Sequence, residues 1–431
     1  MGLTTAVCFA SKFKVVGIDT DRRKVDLLNV GSADIQEDGI RELLKSGISS
    51  GRLHFTTSYD DLAGSKLVFL AVGTPSLDSG EMDAGQVRDS CKALGRAIRA
   101  WPGFTVIVVK STVVPGTTRN LVAKFIEGTS GKKAGVGFGL CSNPEFLREG
   151  TAVYDSFHPD RLVLGPLDSR SGRIVRGFYR QLYERKMPPM VTTTPETAEL
   201  AKYASNAFLA TKISFINLMA RVCERLPEAD VEVIARSMGY DERIGSRFLD
   251  AGLGFGGSCF PKDLRALAHH AEQLGLDSSL LRAVERINET QPGHVVSLLE
   301  KRFGDVRGKT VAILGAAFKP GTNDVRESRG IALIKVLIRR GANPRVYDPL
   351  ALNEARKAIG PKARYATSAK ECLIGADLAI VVNSENEFKN LRPEDYAEVM
   401  KQPVLVDTRR IYRADDFSRA FPIVFVGRSS E

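Results

Sequence analysis

Residues 252–263 read GLGFGGSCFPKD, four glycines ahead of one cysteine. Glycine permits positive φ and close approach of the backbone to a ligand. Pro261 suits the first turn of a helix, where its missing N–H costs nothing. The stretch DLRALAHHAEQLG has helical periodicity and ends on Gly275, a C-cap signal. Cys259 is therefore expected at a helix N-terminus, where the helix dipole and backbone N–H groups stabilise an anion. A thiol there is shifted toward thiolate, the nucleophilic form. Lys262 adds to that field if it points inward. The competing reading is a small hydrophobe packed in a glycine loop.

Three polar pairs share a four-residue spacing: Cys259 with Asp263, Lys202 with Asn206, and Glu145 with Glu149. Lys202 and Asn206 lie on one face of a helical segment, among apolar neighbours. A lysine on the surface and an ordinary helix asparagine is the alternative. Glu145 and Glu149 sit in SNPEFLREG, after an apolar run. Asn-Pro marks a turn, and strand ends are where ligands bind in doubly wound sheets. Two exposed glutamates on a helix is the plainer reading.

The elements that must hold these groups are α/β in pattern. KVVGIDTD, KLVFLAVGTP, TVIVVKSTVVPGTT and FGLCSNPEF read as buried strands running into loops, with helical stretches between them. That alternation implies a parallel, doubly wound sheet. VVGIDTD is similar to the end of a second Rossmann strand, where Asp19 would hold an adenosine ribose and favour NAD; a turn cap is the other role open to it. A fold of this kind needs a strand and a glycine-rich turn ahead of MGLTTAVCFA. Residues 2–10 read as the last glycine of that fingerprint and its helix, so the sheet is expected to lack its first strand and glycine turn. From Pro195 some thirty residues carry no proline or glycine, and their apolar positions recur at three and four. Thr194 is the expected N-cap. At 1.5 Å per residue this helix spans roughly 45 Å, a spine between domains and a natural dimer contact. After RFGDVRGK a second α/β unit starts with KTVAILG, and the turn that follows, AAFKPGTNDVRES, lacks the spaced glycines of a dinucleotide fingerprint. A nucleotide-like ligand held in another way, or none, follows from that. The expected organisation is two Rossmann-like doubly wound domains, 1–190 and 301–431, joined by a helical dimerisation domain, 191–300.

Composition excludes several classes. The net charge is +10, but the basic residues are spread out and form no block or aromatic-basic module. Nucleic acid is not the expected partner. No apolar run reaches the roughly 18 residues of a membrane span. The six cysteines are scattered without a CxxC pair, and the five histidines lack metal-ligand spacing. No metal is expected, and a reducing, cytoplasmic setting is.

The ordered set AVGTP, KSTVVPGTT, SNPEFLREGTA, AELAKYASNAFLATKISFIN, RIG, GFGGSCFPKD and AFKPGTNDVRES resembles the nucleotide-sugar dehydrogenases of the UDP-glucose/GDP-mannose dehydrogenase family. The resemblance covers nearly the whole chain and favours the UDP-glucose branch. It implies a four-electron oxidation of the C6 alcohol to a carboxylate with NAD, through one active site. It makes Cys259 the nucleophile, Lys202 and Asn206 the oxyanion donors, Asp263 the group that orients water or the lysine, and Thr112 and Glu145 the proton handlers. Asp19, Lys24, Thr74, Thr112, Glu149 and Arg326 would hold NAD. Glu145, Phe146, Leu147, Lys202, Asn206, Gly256, Phe318, Lys319 and Arg409 would contact the UDP-sugar, with Arg243 reaching across a homodimer. VVNSENEF and VDTRRIY depart from the pattern in the domain that reads base and sugar. Another nucleotide sugar (UDP-N-acetylhexosamine, UDP-galactose or GDP-mannose) and a non-catalytic UDP-sugar binder are the alternatives.

Overall fold

The apolar runs of the first two hundred residues become short strands: β1 Val15–Ile18, β2 Leu53–Thr56, β3 Leu67–Leu70, β4 Val106–Val109, β5 Gly139–Ser142, β6 Leu162–Pro166 and β7 Met190–Thr192. The structure, a computed structural model, describes residues 1–429 apart from 34, 36, 63 and 185. It divides into two units, Met1–Ser205 and Asn206–Glu431.

In the first unit β4 and β5 are buried along their whole length, which is why VIVV shows no polar alternation. β3, β4 and β5 pair in parallel, β6 runs antiparallel to β5, and β7 is parallel to β6. The expected wholly parallel sheet is thus mixed. β1 pairs with β2 in a separate two-stranded sheet. The split falls where the first strand of a doubly wound order would lie. β1 is half-buried throughout, unlike β4 and β5. The covering layers are nonetheless shared: Val15 packs with Leu67 and Phe69 on one core, and Val16 and Ile18 with Val68 on another. The opening residues form a helix, Gly2–Ala10, as their pattern predicts.

The helix Pro195–Cys223 begins in the first unit and continues into the second. Thr194 caps it, its Oγ1 accepting from the Thr197 N–H at 3.2 Å. Helices Val231–Gly239, Phe260–Gln273 and Ser279–Phe303 follow. Pro292 stands inside the last of these rather than at a boundary. Beyond them lie β8 Thr310–Leu314, β9 Asn343–Tyr347, β10 Arg364–Tyr365, β11 Leu378–Val381, β12 Leu405–Asp407 and β13 Ile423–Phe425. They form one parallel sheet in the order β10-β9-β8-β11-β12-β13, the doubly wound order of a Rossmann domain. Among the described residues no helix is long and apolar enough to cross a membrane.

Candidate active site

Cys259 is the N-cap of the helix Phe260–Gln273, with Pro261 in the first turn. It is exposed, whereas the other five cysteines are buried. Ser258 Oγ lies 3.7 Å from its sulfur. The glycines ahead of it meet two separate demands. Gly254 and Gly257 hold φ of +103° and +82°, where a side chain is strained. A Cβ on Gly256 would come 2.5 Å from the Glu327 carbonyl oxygen. The loop is then pinned from outside. Asn288, buried, accepts from the Phe255 N–H at 2.7 Å and donates to the Phe255 carbonyl at 3.0 Å. The Gly257 N–H donates to the Arg326 carbonyl at 3.0 Å. Asn288 was not singled out in the sequence; an asparagine in RINET, inside a helix, carries no local signal.

One turn below Cys259, Asp263 is fully buried. Its carboxylate accepts from Asn206 Nδ2 at 2.6 Å and from the Lys262 ammonium at 2.5 Å. A carboxylate sealed from water needs such partners. Lys262 therefore points inward, the condition attached to it above. Asn206 lies four residues beyond Lys202 on the long helix, so the predicted spacing is realised as successive turns.

Within the first unit, Lys202 and Glu145 are both buried and stand 3.6 Å apart. The segment 143–148 is neither helix nor strand, so the alternative of two exposed glutamates on a helix is not what forms. Glu145 accepts from the Leu147 N–H at 2.5 Å. The Phe146 ring centroid is 3.9 Å from the Arg161 guanidinium and 5.3 Å from the Lys202 ammonium. Lys110, at the end of β4, is also buried and donates to Asn143 Oδ1 at 3.2 Å. Burial lowers it to about 8, against the opposing pull of Glu145. Lys110 is a site-lining group that the sequence did not mark, because a lysine ending a strand reads as surface.

The remaining candidates are dispersed among loops. Thr112 offers its carbonyl to the Thr74 hydroxyl at 2.8 Å, which joins two of the expected cofactor loops. Asp19, at the end of β1, accepts from the Asp21 N–H at 3.1 Å and from the Lys24 ammonium. Glu149 is half-buried. A Cβ on Gly2 would lie 3.4 Å from the Ala71 carbonyl, so that helix packs closely on the chain beyond β3. An acceptor at a strand end, a lysine beside it and a closely packed helix N-terminus fit the adenosine side of a dinucleotide.

In the second unit, Phe318 lies against Gly257, with the Lys319 ammonium 5.5 Å from its ring centroid. Arg326 is largely exposed and pairs with Asp324 at 2.6 Å. Arg409 donates to the Val382 carbonyl at 2.6 Å. Arg243 is almost fully exposed, with Asp241 at 2.6 Å. The turn after β8 explains its lack of spaced glycines. Asp348 Oδ2 accepts from the Ala316 and Ala317 N–H groups at 2.7 and 3.0 Å, so the chain's own carboxylate occupies amides that a pyrophosphate takes in a dinucleotide site. Among the described residues no group of three metal-ligating side chains occurs.

Comparison with known proteins bears on the family. The NAD binding domain of the UDP-glucose/GDP-mannose dehydrogenase family matches residues 1–183, its central domain residues 196–290 and its UDP binding domain residues 312–414. The UDP-glucose 6-dehydrogenase AglM of Haloferax volcanii is 43% identical over 413 residues, 95% of either chain. The structure of a UDP-glucose dehydrogenase from Pyrobaculum islandicum superimposes with a TM-score of 0.91 at 40% identity, covering 99% of this chain and 95% of that one. A UDP-D-ManNAc dehydrogenase from Pyrococcus horikoshii gives 0.86 at 25% identity, covering 100% and 97%. Matched in all three of its domains and by relatives along nearly its whole length, the chain belongs to the UDP-glucose/GDP-mannose dehydrogenase family.

Proposed function

We propose that this chain oxidises the C6 alcohol of UDP-glucose to the carboxylate of UDP-glucuronate, with Cys259 as a covalent nucleophile. The observation that carries the reading is the setting of Cys259: an exposed cysteine at the N-cap position of a helix, behind a pinned glycine loop, one turn from the Asn206–Asp263–Lys262 set.

NAD⁺, when bound, supplies the hydride acceptor. Asp19, Lys24, Thr74, Thr112, Glu149 and Arg326 are the residues to hold it. The alcohol first loses a proton and a hydride to become an aldehyde. The Cys259 thiolate adds to that carbonyl carbon, giving a thiohemiacetal. Loss of a second hydride and a proton leaves a thioester. Water breaks the C–S bond, releasing the carboxylate and the thiol. Lys202 and Asn206 donate hydrogen bonds to the oxyanion that develops at each addition. Asp263 holds Asn206 in place and orients water or lysine. Thr112 and Glu145 move protons through water. Dividing a four-electron oxidation in this way keeps the aldehyde attached.

The organisation that goes with this reading is a cofactor domain, 1–190, a central helical domain, 191–300, and a UDP-sugar domain, 301–431. Phe146, Leu147, Gly256, Phe318, Lys319 and Arg409 line the sugar-nucleotide side. The active species is a homodimer in the cytoplasm, with Arg243 serving the neighbouring subunit's site. Leu200, Phe208, Phe215, Leu218 and Val222 support the dimer: all are exposed on the long helix, at spacings near seven or four that make one apolar stripe. The likeness to a UDP-D-ManNAc dehydrogenase favours one second reading, the same chemistry on a UDP-N-acetylhexosamine.

The test is the total NADH formed per UDP-glucose with NAD⁺ in excess. Two per sugar is expected. One per sugar would mean that the aldehyde escapes and would sink the role of Cys259. None, with UDP-N-acetyl sugars active, would move the substrate to the second reading.

A further inference from the structure

Glu199 belongs to no role assigned so far, yet it is the buried carboxylate nearest in sequence to Lys202, one turn away on the long helix. Its two oxygens are both occupied by main chain from another element. The Gly116 N–H donates to Oε2 at 2.6 Å and the Thr118 N–H to Oε1 at 2.8 Å. These amides open a six-residue π-helix, Thr117–Val122. π-turns are rare and concentrate at functional sites. Gly116 holds φ of +90°, so the chain arrives there in a glycine-only conformation. The same loop begins at Thr112, whose carbonyl receives the Thr74 hydroxyl. The loop 112–118 is therefore tied at one end to a cofactor-side threonine and at the other to the helix that carries Lys202.

The charged groups facing Glu199 are few. Glu196 lies on its own helix and Arg119 on the clamped turn, and these two pair with each other at 2.5 Å. Neither donates to Glu199, which accepts from the two backbone amides. A buried carboxylate is costly to keep. Its use here is geometric: two charge-assisted hydrogen bonds, to amides two residues apart, fix the start of one turn in register against the helix.

We infer that Glu199 is a positioning residue, whose carboxylate holds the loop bearing Thr112 in register with Lys202 for proton transfer. This rests on the reading of Thr112 and Lys202 given above.

The decisive variant is Glu199→Gln. Its single amide oxygen accepts one N–H, while its NH2 group confronts the other. Turnover is measured per reactive Cys259, counted by alkylation, so that loss of folded protein does not enter. Expected are a fall in kcat of about tenfold or more and a KM for UDP-glucose within about twofold of the unchanged enzyme. A purely structural role would lower the melting temperature and the thiol count but leave kcat per thiol unchanged, and that result would overturn the inference. Should the variant not fold, hydrogen exchange on the unaltered enzyme decides. The Gly116 and Thr118 amides must be protected like those of β4; exchange at open-loop rates would overturn the clamp. If the unaltered enzyme makes no NADH from any nucleotide sugar, the functional reading fails and the positioning role with it. An active enzyme with an undiminished Gln variant fails the positioning role alone.

Discussion

Replacing Asp263 by alanine should unfold the second unit earlier as well as stop the reaction. The carboxylate is fully buried and has two partners. Its removal strands the Lys262 ammonium, whose side chain is only 20% exposed, and the Asn206 amide, 6% exposed. Breaking a buried pair from one side costs about 3–5 kcal/mol, because the remaining charge has lost its compensation. For a unit of 206–431, each kcal/mol shifts melting by about 2–4 °C. Asp263→Ala is thus expected to melt roughly 10 °C lower by calorimetry. Asp263→Asn keeps the volume and one acceptor for Asn206, and is expected to lose roughly 1–3 kcal/mol, with kcat down about 100-fold. The pair separates stability from chemistry. An alanine variant that melts within about 2 °C of the parent would refute the claim that this carboxylate balances a buried charge.

Other outcomes follow from the same geometry. A thiol reagent should label one cysteine quickly in the native protein, Cys259, and all six in denaturant, as counted by mass spectrometry; a second fast thiol would contradict the burial of the other five. Cys259→Ala should form no more than one NADH per UDP-glucose at any enzyme concentration, read at 340 nm. Gly256→Ala places a Cβ 2.5 Å from a backbone oxygen, so the loop must move, and kcat/KM should fall about tenfold or more. Burial raises Glu199 from 4.5 to about 7. Between those values the folded chain binds more protons than the unfolded one, so stability falls as pH rises through that window. At 1.36 kcal/mol per pH unit the fall approaches about 3 kcal/mol, and Glu199→Gln should abolish it in denaturant titrations at pH 5 and pH 8.

What could be read from the sequence divides along physical lines. The helix start at Cys259 and the N-cap at Thr194 were legible, because glycine, proline and threonine act on the backbone within a few residues; the direction of Lys262 was left open. The long helix was legible because its periodicity runs unbroken. Lys110, Asn288 and Glu199 were not. Each is a polar residue in a segment whose local pattern is ordinary, and each becomes notable only when distant chain buries it. Glu145 was marked as a candidate at a strand end, but its burial was not legible, because the fold, rather than SNPEFLREG itself, closes over it. The strands β2, β6 and β7 were not read from the sequence, and length does not explain it, since β1, β3, β4 and β5, four residues each, were. Asp348 filling the amides after β8 was foreshadowed by absent glycines, but the occupant was not.

The break between β1 and β3 bears on the chain's behaviour in solution. Among the described residues neither strand has a ladder partner on the side facing the break, and their side chains there belong to two apolar cores. An unpaired strand edge of this kind offers its backbone N–H and C=O groups to an extended segment, the place a further strand of the same sheet would take.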